Sequence, residues 1–454
     1  MSARSALRGE LRPMFQIAWP VAMAELGWMG MGLVDTMMVG RVGAEAVGAV
    51  SIGGAVFYPV AIIGFGMLLG LDYTVAHAFG AGRIEDTRVA LVHGIYLSAA
   101  LAVGLTALLL TVVPHLRAFG LRPEVADATA PYLYAVSWSL APLLFYAALR
   151  RYLQALGLVR VVMVALISAN VINFIGNWVL VFGRFGLPAL GAQGSGWATT
   201  VSRIYLFFFL LVVTLWHERR SNAGSALPWR FDRSRFAALL RLGVPASLQM
   251  VLEVGVFATA TMLLGRLTTA QLAAHQIALG AAAFAFMVPL GISSAAAVRV
   301  GHAMGRVDAP AAARAGWAAL LLGASFMILS AAAFVGIPRW IMGVFTTDSV
   351  VIDIGVTLLS VAAVFQLFDG LQVVATGALR GSGDTRTAMA ANLIGHWLIG
   401  LPLGYVLCFR LGYEVVGLWV GLCTGLIIVA VALIAVWSWR TRLLASEHAG
   451  RRAA

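Results

Sequence analysis

The 454-residue sequence contains no lysine and only two cysteines, and charged residues make up 11% of it. Each shortage excludes something. Soluble globular domains carry about 25% charged residues, so a chain this poor in charge cannot face water on all sides. Cys408 and Cys423 both lie inside apolar runs, support no disulfide or metal framework, and are read as packing residues. Acidic residues number 19 against 31 arginines, giving a net charge of +12 and a pI near 10.6. That balance would ordinarily suggest a nucleic-acid partner. The positions of the arginines give it a different meaning.

Apolar residues supply 61% of the chain and the mean hydropathy is +0.92. They gather into twelve runs, at residues 14–39, 46–72, 89–113, 129–149, 160–182, 194–216, 239–264, 271–297, 315–337, 354–378, 388–409 and 415–437. A helix rising about 1.5 Å per residue needs about 20 residues to cross the hydrocarbon of a bilayer. The expected fold class is therefore an all-α polytopic membrane protein with twelve transmembrane helices, and no short alternating segments suggest a β-barrel. The first run carries Glu25 and Asp35 and no small-residue cleavage site, so it is expected to remain in the mature protein. With a cytoplasmic N-terminus, 23 arginines fall on inner segments or at the inner ends of spans, seven on outer segments, and Arg203 well inside a span. Both termini are thus expected in the cytoplasm, and a nucleic-acid partner is not.

The longest polar interruption is HERRSNAGSALPWRFDRSR, residues 217–235. It reads as a cytoplasmic linker between an N-terminal six-helix bundle, 1–216, and a C-terminal one, 236–454. Shifting the second half back by 225 positions superposes Pro20 on Pro245, Gly30 on Gly255, Thr36-Met37 on Thr261-Met262, Gly40-Arg41 on Gly265-Arg266, Gly66 on Gly291, His77-Ala78 on His302-Ala303 and Gly80 on Gly305, without a gap. Such a series is a duplication. Six spans per copy make it a parallel repeat, two bundles related by a pseudo-twofold along the membrane normal, with a substrate site expected between them near mid-depth. Glycine pairs at four-residue spacing (66/70, 377/381, 400/404) and the series 417/421/425 are expected to bring helix backbones together.

A charge near the bilayer centre costs about 2.5–3.5 kcal/mol on insertion scales. Glu25 and Asp35 on the first span, Glu253 on the seventh and Asp369 on the tenth therefore ask for a reason. Gln366, Asp369, Gln372 and Thr376 form one polar stripe, Gln249 lies a turn before Glu253, and Asn170, Asn173 and Asn177 form a stripe on the fifth span. Three carboxylates on separate helices with polar neighbours suggest a shared aqueous path for Asp35, Glu253 and Asp369. Glu25 fits a structural anchor equally well. Asp72 is expected at the membrane interface, His77 and His302 as helix-end residues, and His275 and His396 as hydrogen-bonded core residues.

The segments AWP and VDTMMVG in the first span, LGVPASLQMVLE, VPLGISSAAAVRVGHAMG, FQLFDGLQVVATGALRGSGDTR, GLPLGY and GLW resemble, in order and spacing over essentially the whole chain, the multidrug and toxic compound extrusion (MATE) transporters of the NorM-like branch. The resemblance implies a multi-pass protein of the bacterial inner membrane that exports small organic cations and drugs in antiport with Na+ or H+. It implies no cofactor beyond the coupling ion and no enzymatic activity, and nothing in the sequence requires more than a monomer. The branch's acidic positions are matched by Asp35, Glu253 and Asp369, and its fifth-helix asparagines by Asn173 and Asn177. Glu253 and Asp369 are then expected to bind Na+ and to be contested by the drug, while Asp35 with Asn173 and Asn177 serves protonation or gating. Gln249, Gln366, Gln372 and Glu25 are expected in support.

A lipophilic cation and a small ion compete naturally for one negative field lined by aromatic and methionine contacts. Coupling needs the two to favour different conformations. A lipid-linked precursor flippase would share the architecture, but its anionic cargo calls for arginines along the spans, where Arg203 stands alone. A membrane-embedded enzyme is suggested only by Gly381-Ser382-Gly383-Asp384, in an expected inner loop, and there is no HExxH motif or Tyr-Asp partner.

Overall fold

The computed structural model describes residues 3–119, 123–221 and 227–453. Arg122 and residues 222–226 of the expected linker lie outside the described residues. The described residues contain helices and no strand: α1 (Ala3–Gly40), α2 (Ala44–Leu68), α3 (Gly70–Gly80), α4 (Ile84–Val112), α5 (Pro123–Ser137), α6 (Leu140–Ala155), α7 (Val159–Phe182), α8 (Gly191–Ser221), α9 (Arg233–Leu264), α10 (Thr269–Gly305), α11 (Ala309–Gly336), α12 (Pro338–Gly343), α13 (Ser349–Gly381), α14 (Arg386–Asn392), α15 (Leu401–Tyr405) and α16 (Glu414–Ala453).

Among the described residues eleven helical stretches are long and apolar enough to span a membrane, α2 and α3 together forming one of them, and the pair α5 and α6, bent by 41°, supplies a twelfth. The protein is thus an all-α polytopic membrane protein. Its fourth span, expected as one helix over 129–149, is broken at Trp138-Ser139. Pro142 explains the position: it has no N–H to offer the carbonyl of Trp138, so the ladder cannot run on from α5. The eleventh span also departs from a simple helix. It widens to π-helical turns at Leu393–Gly400 and Val406–Arg410, around Pro402, and such widenings recur at functional sites.

The chain forms two compact units, one of Met23–Val75 with Arg83–Ser247, the other of Met1–Ala22, Ala76–Gly82 and Leu248–Ala454. The boundaries in α1 and α9 fall two residues beyond Pro20 and two beyond Pro245, equivalent positions in the repeat. Packing inside the units repeats as well. In the first, a Cβ on Gly66 would lie 2.4 Å from the Cα of Ser247. In the second, a Cβ on Gly291 would lie 2.6 Å from the backbone nitrogen of Ala22. Each contact is the other's counterpart at the 225-residue offset, which is what duplication of a packed unit produces.

His77 and His302 belong to this packing. The carbonyl of His302 lies 2.2 Å from a Cβ built on Gly80, and that of His77 lies 2.1 Å from one on Gly305, so their backbones meet at glycines. On α16, Gly421 lies against Gly404, and Gly425 against Gly395 and Gly400. Close approach of this kind supplies helix association in a bilayer, where hydrophobic exclusion between helices is absent. Acidic caps fix helix starts: Asp308 accepts the Ala311 N–H and Asp348 that of Val350, each at 2.9 Å. Asp384 of the Gly-Ser-Gly-Asp string accepts from Thr387 and pairs with Arg440 at 2.7 Å, so it anchors a loop.

Candidate functional site

The first unit gathers polar side chains around Asp35, which stands near the end of α1 and is 7% exposed. On α7, Asn173 and Asn177 lie one helical turn apart, which puts both on one face. Asn177 Nδ2 donates to Asp35 Oδ1 at 2.7 Å and contacts Asn173 Oδ1 at 3.2 Å. The second carboxylate oxygen accepts from Thr199 Oγ1 of α8 at 2.8 Å. Hydrogen bonds to a charged acceptor are worth about 1.5–3 kcal/mol each, so three helices hold this carboxylate in place. Thr199 was not singled out from the sequence. The signal that would have found it is a hydroxyl one turn before Arg203, the only charged residue inside the sixth span.

Glu25 lies on the same helix, ten residues before Asp35, and makes no part of this cluster. It is buried and ion-paired with Arg150 of α6, itself buried. Asp72, expected at the membrane interface, is 3% exposed within the protein and 3.5 Å from Arg151 of α6. A cation presented by a neighbouring helix accounts for its burial, since a carboxylate with a partner tolerates burial that a lone one does not. A third buried pair escaped the sequence altogether: Arg88 of α4 donates to Glu218 of α8 at 2.9 Å, and the Tyr152 hydroxyl donates to the same carboxylate.

In the second unit, Glu253 of α9 accepts a hydrogen bond from Gln249, one turn earlier. Asp369 of α13, 6% exposed, has Glu253 as its charged neighbour, and Gln372 also lies beside Glu253. Gln372 is fully buried and neither atom of its amide is satisfied by a well-formed protein hydrogen bond. Gln366 points elsewhere, donating to Ser330 of α11 at 3.0 Å. Aromatic rings close the cluster: Phe257, one turn beyond Glu253, meets Phe365 edge-on at 5.9 Å and His396 at 6.2 Å.

The two core histidines differ. His275 is satisfied on both ring nitrogens, by Thr261 at 2.9 Å and by the Trp419 indole at 3.0 Å. His396, expected to be satisfied too, is buried in the π-helical turns with neither nitrogen bonded to protein. Among the described residues no group of three or more His, Cys, Asp or Glu could hold a metal ion. Glu253, Asp369 and the Gln372 carbonyl nevertheless offer the oxygen donors that hard cations take.

Buried carboxylates on spanning helices, held by amides and hydroxyls, are the equipment of a membrane transporter. The chain belongs to the MatE family, whose model matches it twice, at residues 20–179 and 245–406, with starts separated by the same 225 residues as the repeat. Family members are transporters and not enzymes. A protein of Mesorhizobium japonicum named probable multidrug resistance protein NorM is 35% identical over 96% of this chain and 95% of its own length. A Rhodopseudomonas palustris protein of the same name is 38% identical over 98% and 94%. Among solved structures, the eukaryotic MATE transporter AtDTX14 superposes with a TM-score of 0.86 at 22% identity, covering 97% of this chain and 99% of that one.

Proposed function

We propose that the protein is a secondary active multidrug efflux transporter that exports organic cations in antiport with Na+ or H+. The observation that carries the reading is the Glu253 and Asp369 pair: two like-charged groups on separate spanning helices, with Gln249 and Gln372 beside them and aromatic rings at their edge. Two adjacent carboxylates in a poorly hydrated place attract a cation strongly, and a small ion and a lipophilic drug displace one another there. Glu253 and Asp369 would hold Na+ when Na+ is the coupling ion. Asp35, with Asn173, Asn177 and Thr199, takes a protonation or gating role. Glu25 acts with Arg150 as a strut.

The arginine distribution supports an inner-membrane orientation with both termini cytoplasmic, and the 225-residue repeat with its polar interruption supports halves at 1–216 and 236–454 joined by a linker at 217–235. A monomer suffices for this chemistry. An inward-moving cation contributes about 2.3 kcal/mol per charge per 100 mV and export of a singly charged drug costs the same, so a one-for-one exchange is driven by the ion's concentration gradient, and the potential adds to it only when more than one ion enters per drug. The test is efflux of an ethidium-like dye from vesicles containing the purified protein, first under an imposed sodium gradient and then under an imposed pH gradient. Acceleration by either supports antiport and names the ion. Dye movement indifferent to both refutes it.

A further inference from the structure

The transport reading gives the polar segment after α8 no work beyond joining the halves. Residues 227–232 are not helical, yet they are fastened along α4 of the first unit. The Asp232 N–H donates to His93 Nε2 at 3.0 Å, and the other ring nitrogen lies 2.8 Å from the Val89 carbonyl. A carbonyl only accepts, so His93 carries its proton on Nδ1 and offers a lone pair to Asp232. Phe231 stacks on the His93 ring at 5.9 Å and meets Tyr96 at 5.8 Å, Trp229 meets Tyr96 at 6.2 Å, and Phe231 lies 5.3 Å from Phe236 of α9. Trp229 and Phe231 nevertheless remain 56% exposed.

Depth decides what these rings face. Tyr96 lies past the start of the apolar run at 89 by about 10 Å along the helix. Aromatic residues at that depth belong to the boundary between headgroups and hydrocarbon. An exposed tryptophan and phenylalanine there meet lipid and not water. Arg230 lies between them and Arg233 opens α9; both are exposed, and among the described residues neither has an ion-pair partner. The nearby acids are already engaged. Asp86 holds Arg83 at 3.1 Å and Arg235 at 2.8 Å, Asp232 accepts the Ser234 N–H at 2.8 Å, and Glu85 and Glu218 share Arg88. Two arginines beside inserted aromatic rings thus present unpaired positive charge where lipid phosphates lie.

We propose that residues 227–235 form a docking surface for an acidic phospholipid, with Trp229 and Phe231 against its glycerol and acyl region and Arg230 and Arg233 on its phosphate. Guanidinium groups bind phosphate oxygens through paired hydrogen bonds, and each arginine near an anionic membrane surface favours binding by about fivefold. The polar segment is then a membrane anchor of the first unit that fixes the start of α9 against α4. Which leaflet supplies the lipid follows from the orientation proposed above; the surface itself does not depend on transport.

The test uses purified full-length protein in a neutral detergent and two lipids carrying a fluorophore on one acyl chain, phosphatidylglycerol and phosphatidylcholine, with binding read by fluorescence polarisation. Phosphatidylglycerol should bind saturably and at least about tenfold tighter than phosphatidylcholine, and about 0.5 M salt should remove most of the difference. Arg230→Gln with Arg233→Gln should weaken phosphatidylglycerol at least about tenfold and leave phosphatidylcholine unchanged. Losing two exposed arginines elsewhere, Arg266→Gln with Arg410→Gln, should change neither. Trp229→Ala with Phe231→Ala should weaken both lipids. The proposal is overturned by equal affinity for the two lipids, by a preference that survives the loss of Arg230 and Arg233, by the same loss in the Arg266 and Arg410 variant, or by an aromatic variant that binds like the parent. Displacement of the lipid by soluble glycerol phosphate at constant ionic strength would also overturn it, since the site would then need no membrane. The salt arm needs no variant: a preference untouched by salt refutes the proposal on the parent protein alone. Dye efflux indifferent to both ion gradients would sink the transport reading while leaving this binding result standing.

Discussion

Neutralising Glu25 is expected to damage the fold and spare the transport chemistry. Glu25 and Arg150 are 8% and 5% exposed and directly paired. Removing one partner of a buried pair leaves the other charge alone and costs about 3–5 kcal/mol, whereas replacing both by apolar groups of similar volume is often neutral or stabilising by about 1–4 kcal/mol. Glu25→Gln and Arg150→Met should therefore each be strongly destabilised, and the double variant, in which both charges are gone and only a buried amide remains, should recover much of the loss. The assay is heat-induced disappearance of the monodisperse protein in detergent, run on all four proteins as a double-mutant cycle. A Glu25→Gln protein as stable as the parent, or a double variant worse than either single, would refute the strut. Dye efflux normalised to folded protein gives the second reading. A fully folded but inactive Glu25→Gln would put Glu25 on the ion path instead.

Asp369→Asn should abolish dye efflux with expression intact, and unchanged efflux in cells would remove Asp369 from the mechanism. Thr199→Val deletes one of the two hydrogen bonds holding Asp35, worth about 1.5–3 kcal/mol, so it should lower efflux by less than Asp35→Asn does; equal losses would mean that position matters as much as charge. Gly421→Val places a side chain where a Cβ already comes within 2.2 Å of Gly404 backbone atoms. Overpacking costs about 1–3 kcal/mol when side chains can shift, but here backbone meets backbone, so the folded yield should collapse, and a normal yield would show that α16 can move.

Much of the fold was legible because a bilayer leaves few options: apolar runs of the required length can only be spanning helices. Part of the duplication was legible because Gly66 with Gly291, and Gly80 with Gly305, stand at backbone contacts that tolerate little else. The break between α5 and α6 was not. Pro142 is visible in the sequence, yet Pro20, Pro59, Pro245 and Pro289 all lie inside unbroken helices, so proline alone does not announce a break. The π-helical turns around His396 leave no mark in periodicity, and the missing partners of that histidine depend on tertiary surroundings.

Around the candidate site, the stripes on the fifth and tenth spans could be read because helix geometry aligns residues three and four apart. Partnerships between helices could not. Asp72 with Arg151, Glu25 with Arg150 and Arg88 with Glu218 are separated by 79, 125 and 130 residues. Nothing local distinguishes an acid with a partner from one awaiting a ligand. That distinction separates Glu25 from Asp369, two residues that look alike in sequence.

The repeat also shows what is equal between the halves and what differs. Gly66 and Gly291 meet equivalent neighbours, as do Gly80 and Gly305, so the packing has been held. The charges have not: Glu25 faces Met250 in the alignment, Asp35 faces Ala260 and Glu253 faces Trp28. Each half therefore has its own polar equipment, Asp35 with Asn177 and Thr199 in one and Glu253 with Gln249 in the other. If the acids of the second half hold the coupling cation, an arginine introduced beside them by Gln372→Arg should supply the charge that the cation would bring, and saturable sodium binding by the purified protein should be lost while its folded yield is kept. Sodium binding unchanged in that variant would remove Glu253 and Asp369 from the ion site.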